Sequence, residues 1–205
     1  MAMERSRILL TIILIAFAIS FNLGYNALPS PQHIKFQAPA IMDNGKGNLV
    51  EFEMFVTRGE GRTLVNIENA AFKEDVENAL RKAKFNAYEY LGIRAGGFDL
   101  TLEVKSDGSD VSGESAGGMF AVAIIALHSG RRLREDVAIS ATISEDGTLS
   151  DVGGIEEKIL AAKDAKRNMF LVSANQRIKD EEEIGKGISI ARVKDLADAV
   201  KYLIE

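Results

Sequence analysis

The chain has 205 residues, 46% of them hydrophobic, with 25 Lys and Arg against 30 Asp and Glu for a net charge of −5. That length allows one domain with a real core plus a short appendage, and the scattered charges lack the clustered Lys and Arg of a nucleic-acid footprint. Cysteine is absent, which excludes disulfides, thiol nucleophiles and Cys-based zinc sites but leaves the compartment open.

Arg5 and Arg7 precede an apolar run from Ile8 to Phe21, broken only by Thr11 and Ser20. Its length suits the hydrophobic region of a signal peptide, or a marginal anchor if continued to Tyr25. Tyr25-Asn26-Ala27 is a poor small-x-small cleavage site, so a cleaved signal and an uncleaved anchor both stay open for residues 1–27, with a buried core helix as a third reading. The two arginines are expected to stay in the cytoplasm, with everything after Pro29 outside it, either membrane-anchored or secreted. Residues 28–44 hold all three prolines (Pro29, Pro31 and Pro39) and read as an extended linker. The folded domain is expected over 45–205.

Within it, Leu49 to Val56 reads as a strand, Gly59-Glu60-Gly61 as a turn and Thr63 to Ile67 as a second strand. From Phe72 to Leu91, apolar residues recur at three and four and predict a long helix that Gly92 stops. Phe98, Leu100, Leu102 and Val104 alternate with polar positions as in a half-buried strand. A small-residue loop, Ser112-Gly113-Glu114-Ser115-Ala116-Gly117-Gly118, then runs into an apolar helix over Met119 to Leu127. Val137 to Ile143 predicts a strand, Asp146-Gly147 a turn, and Ile155 to Lys166 a helix. Met169 to Val172 and Ile188 to Val193 predict strands, and Asp195 to Ile204 a closing amphipathic helix. Strands and helices interleave, giving a mixed α/β (α+β) domain.

The loop has the parts a nucleophilic serine needs. Gly113 and Gly117 leave room for a substrate backbone, and Ser115 sits where free N–H groups and the positive helix end converge. Two other readings compete: simple N-capping by Ser115 or Ser112, and anion binding ahead of a helix. No Walker pattern supports the second, because Gly45-Lys46-Gly47 and Gly185-Lys186-Gly187 lack the required spacing and the following Ser or Thr.

A base is the other requirement. At about 100° per residue, Ile155, Ile159, Ala162 and Ala165 share one arc of their helix, and Lys158 falls inside it. Glu156, Glu157, Lys163, Asp164 and Arg167 lie opposite, with Leu160 as an outlier. A lysine on an apolar stripe commonly snorkels to solvent, but burial is also what lowers a lysine pKa toward that of a base. The two histidines offer no substitute. His33 lies in the Pro-containing stretch, and His128 lies roughly 20 Å beyond Ser115 on the same helix at about 1.5 Å per residue. No His or carboxylate grouping has ligand spacing, so neither a metal nor another cofactor is expected.

The Ser115 loop and the segment Gly153 to Ala162 together resemble the two signature segments of the Lon family proteolytic domain, which works with a Ser–Lys dyad. The resemblance spans Asn48 to Val193 and is strongest from Asp110 to Ala165. It implies a Lon proteolytic-domain fold behind an N-terminal hydrophobic signal or anchor segment. The implied nucleophile is Ser115 and the implied base Lys158, with an oxyanion held by N–H groups of Ser115 and Gly113 or Glu114. Ser140 stands where the family commonly orients the lysine with a Thr, with Thr142 as fallback, and Glu53 matches an acidic residue that some members place near the site. Asp151 replaces a proline often found before the glycine pair, and Thr101 and Glu103 stand where bacterial members carry histidines. The resemblance further implies polypeptide substrates, a homo-oligomer by analogy, and an ATP-independent enzyme, since no unfoldase segment is in the sequence. A Lon-like domain that binds without turnover is the alternative.

Overall fold

The computed structural model describes residues 32–66, 73–105 and 114–205. The N-terminal run Ile8 to Phe21 and the residues Ser112 and Gly113 lie outside them. Among the described residues, no helix is long and apolar enough to cross a membrane.

Four strands form the larger sheet, in the order β1-β2-β4-β3: β1 (Gln32–Ile41), β2 (Gly47–Arg58), β3 (Thr63–Asn66) and β4 (Phe98–Lys105). β1 and β2, and β2 and β4, run antiparallel, whereas β3 lies parallel to β4. Alternation decides the inner face. Val50, Phe52, Met54 and Val56 of β2 and Leu100, Leu102 and Val104 of β4 are buried, while the residues between them are more exposed.

β1 corrects the sequence reading, which ended a linker at residue 44. The stretch is extended, but it is a paired strand, with Phe36 opposite Phe52 and Ala38 opposite Val50. Phe36 stacks on Phe52 with ring centroids 5.5 Å apart and meets Phe120 edge-on at 6.1 Å. Pro39 fits because β1 is an edge strand, where a missing N–H can face away from the ladder.

The long helix appears as α1 (Lys73–Leu91), stopped by Gly92 at φ +65°. It packs on α2 (Gly117–Ser129), which also lies against β1 and β2. Every residue of α2 from Gly117 to Leu127 is buried, so this helix is the centre of the larger core.

The predicted strand Val137 to Ile143 is instead two pieces. β5 (Val137–Ile139) joins a parallel sheet in the order β5-β8-β9, with β8 (Met169–Ser173) and β9 (Ser189–Val193). β6 (Thr142–Ile143) pairs with β7 (Leu149–Ser150) in a short hairpin. The break falls at Ser140-Ala141. Helix α3 (Ile155–Asp164) packs against β1 and β2, and Lys166 just beyond it takes a left-handed φ of 59°. A single turn, α4 (Glu181–Ile184), has no counterpart in the sequence reading. The last helix, α5 (Leu196–Leu203), is capped by the Asp195 carboxylate, which accepts the Asp198 N–H at 2.9 Å.

Candidate active site

Ser115 lies in a single 3₁₀ turn, Glu114–Ala116, that leads into α2. Its carbonyl accepts the Ala141 N–H at 3.0 Å, and the Gly118 N–H donates to the Ala141 carbonyl at 3.1 Å. These two bonds clasp the start of α2 to the strand break at Ser140-Ala141. They also explain that break: Ala141 gives both its backbone groups to the serine turn rather than to a sheet ladder. Gly117 packs tightly there: a Cβ on it would stand 3.0 Å from Ile143 Cγ2. The N-cap of α2 is Ala116, not Ser115, so the capping reading of Ser115 does not hold. Ser115 itself is half-buried.

Lys158 occupies the inward side of α3 among Ile155, Ile159 and Ala162, and is only 4% exposed. Burial alone brings its pKa down from the ordinary 10.5 to about 8. The helix is fastened at its start. Gln176 accepts the Val152 N–H at 2.8 Å and donates back to the Val152 carbonyl at 3.2 Å. The buried Ser173 hydroxyl donates to the Asp151 carboxylate. Asp151 thus uses its side chain to fix the turn that a proline would otherwise stiffen. Beneath the helix, Gly47 lets β2 approach so closely that a Cβ there would stand 2.0 Å from the Glu157 carbonyl oxygen.

Strand β8 serves both halves. The Ser140 N–H donates to the Leu171 carbonyl at 3.2 Å, and Ser173, two residues on, holds Asp151 ahead of the lysine helix. The Ser115 clasp and the Lys158 turn are therefore tied to the same short strand.

Among the supporting residues, Ser140 is 1% exposed and its hydroxyl donates to the Ser115 carbonyl at a long 3.5 Å. The sequence reading gave it the lysine as partner; here its hydroxyl turns to the serine turn. Thr142 sits next along in β6, paired with Ser150. The Glu114 carboxylate is gripped by Lys82 of α1, with Nζ 3.0 and 2.8 Å from its two oxygens.

Glu53, on the face of β2 that also carries Gly47, has Lys105 at 2.9 Å, Lys35 at 3.9 Å and His33 at 4.0 Å. The hydrogen bond from Lys105 holds its carboxyl below the usual range. The histidines have aromatic partners. His33 stacks on Phe55, and His128 Nε2 lies 3.2 Å from the Tyr88 hydroxyl, its ring edge-on to Tyr88 and Phe98. Burial, with the nearby Lys84 charge, lowers the His128 pKa.

Comparison with known proteins shows the family. The family model described as the Lon protease (S16) C-terminal proteolytic domain matches residues 41–205. The chain belongs to this family. It is 35% identical to the Lon protease of Citrifermentans bemidjiense over 146 residues, 69% of this chain and 18% of that protein. It is 33% identical to that of Methylocella silvestris over 142 residues, 67% of this chain and 17% of that protein. With the Lon protease of Paraburkholderia phytofirmans it shares 32% over 167 residues, 78% of this chain and 20% of that protein. The chain thus spans about a fifth of the length of these curated relatives. The Lon match begins at Ile41, the last residue of β1, and so takes in the whole of β2 and the Gly47 contact.

Sequence reasoning missed Lys82, Ser173 and Gln176. Each acts across a long stretch of chain through a polar contact, and no local periodicity marks such a contact.

Proposed function

We propose that this domain is a serine endopeptidase that cleaves unfolded or flexible polypeptides with a Ser115–Lys158 dyad and needs no ATP to do so. The observation that carries the reading is Lys158, almost fully buried on α3 with its pKa lowered to about 8. A lysine in that condition is neutral in a useful fraction near neutral pH and can serve as a base.

In the proposed reaction, Lys158 Nζ takes the Ser115 proton as Oγ attacks the scissile carbonyl carbon. Backbone N–H groups of Ser115 and of Gly113 or Glu114 receive the developing oxyanion. The C–N bond then breaks, the leaving amine takes the proton from Lys158, and an acyl-serine remains. Lys158 next activates a water that hydrolyses the ester and restores the hydroxyl. Nothing in these steps consumes a nucleotide. Ser140 steadies the site from the serine side through the Ser115 carbonyl. On the reading of Arg5, Arg7 and the run Ile8 to Phe21 as a signal or anchor, the substrates are met outside the cytoplasm.

The test is cleavage of dye-quenched casein by the full chain without nucleotide, beside Ser115→Ala, Lys158→Ala and Lys158→Arg. The parent is expected to cleave and all three variants to be silent, the last because arginine stays charged. A folded parent that is silent up to alkaline pH would favour a binding domain. Cleavage that survives any of the substitutions would move the site elsewhere.

A further inference from the structure

From the contacts around Glu114 we infer that Lys82 is a positioning residue for the catalytic serine, acting through a two-point ion pair with the side chain next to it. The inference rests on Ser115 being the nucleophile.

The serine turn has two sides. On one, its main chain is clasped by Ala141 through the Ser115 carbonyl and the Gly118 N–H. That leaves the residue before the serine to be fixed from the other side. Glu114 reaches α1, where Lys82 Nζ meets both carboxylate oxygens at 3.0 and 2.8 Å. Both side chains are partly buried, 26% and 32% exposed, so the pair is less screened than a free surface contact. The contact joins residues far apart in sequence, and only the tertiary fold makes it.

Lys82 is itself held. One turn later on α1, the buried Asn86 donates through Nδ2 to the Lys82 carbonyl at 2.9 Å and to the Ser144 carbonyl at 2.8 Å. Ser144 follows β6 directly, so the same face of α1 grips both the serine turn and the hairpin beside it. Across these contacts the turn is bracketed: backbone bonds to Ala141 on one side, a charged side-chain pair to Lys82 on the other. A turn one residue from a nucleophile gains most from such bracketing, because a shift of about 1 Å in a reacting group can cost ~100-fold in rate.

The experiment compares the full chain with Lys82→Ala, Lys82→Arg and Glu114→Gln by casein cleavage and by hydrogen exchange of the amides at 114–118. Lys82→Ala is expected to lower kcat at least about tenfold with KM little changed, and to speed exchange at 114–118. Lys82→Arg, which keeps a bidentate donor, should restore most of the lost rate. Glu114→Gln breaks the pair from the turn side and should reproduce the alanine result should Lys82→Ala fold poorly. Parent-like exchange at 114–118 in both pair-breaking variants would overturn the inference, whether or not the parent cleaves. Cleavage that persists in Ser115→Ala would instead overturn the functional reading.

Discussion

Gly47 of β2 lies directly under the Glu157 carbonyl of α3, so close that a methyl group on it would fall 2.0 Å from the oxygen and 2.5 Å from the carbon. The obstacle is backbone, so no rotamer change relieves it. The helix that carries Lys158 therefore rests on a strand through a position that tolerates no side chain.

Gly47→Ala is expected to push α3 off β2 and cost roughly 1–3 kcal/mol, as overpacking of a fixed contact does. Activity should fall with it, although residue 47 is remote from Ser115 and Lys158 in sequence. Thermal melts and casein cleavage check this together. An alanine variant with parent-like Tm would mean that β2 and α3 do not meet this closely.

The pKa of about 8 at Lys158 sets a pH dependence. Below that value most of the lysine is charged and cannot accept the Ser115 proton, so kcat/KM should fall about tenfold per pH unit. The rate should rise through pH 8 and level off above it. A profile flat from pH 5 to 10 would exclude a lysine base.

The same burial makes Lys158 a stability defect. Below about pH 8 it is charged in both folded and unfolded chains, and burying that charge costs ~3 kcal/mol for a pKa that drops from 10.5 to about 8. Between those two values the unfolded chain holds a proton the folded chain does not, so stability rises with pH. Lys158→Met should be inactive yet melt several degrees higher at pH 7, with the gain shrinking toward pH 10.5. A variant that melts lower at pH 7 would show the charge to be better solvated than its burial indicates.

Ser140 and Thr142 compete for one supporting role. The Ser140 hydroxyl reaches the Ser115 carbonyl, at a long 3.5 Å, and losing a bond of that kind is worth up to about 1.5 kcal/mol, or about tenfold in rate. Ser140→Ala should therefore lower kcat by up to about that factor, and Ser140→Thr should recover it. Should Thr142→Ala prove the more damaging, the role belongs to Thr142.

Where one element dominated its own neighbourhood, the sequence was readable. The three-and-four spacing before Gly92 foretold α1, and the arc shared by Ile155, Ile159 and Ala162 foretold the inward side of Lys158. β1 was hidden because its inward positions, Phe36, Ala38 and Ala40, are mostly small, and three prolines nearby mark extended chain without showing that it is paired. The break at Ser140-Ala141 was hidden for another reason. Val137 to Ile143 has the composition of one strand, and only the Ser115 turn competing for the Ala141 backbone divides it. The partners of Glu53, Lys105 on β4 and Lys35 and His33 on β1, were equally hidden, because they sit on neighbouring strands, where spacing between motifs gives no guide.

Because α2 is buried from Gly117 to Leu127, Ser115 stands at the tip of the element least free to open on its own. Amides of the helix interior, from Ala121 to Leu127, should exchange only when the whole domain unfolds. Heating should then abolish activity at the temperature where the fold is lost, with no separate, earlier loss of the site, and turnover becomes a direct gauge of the folded fraction.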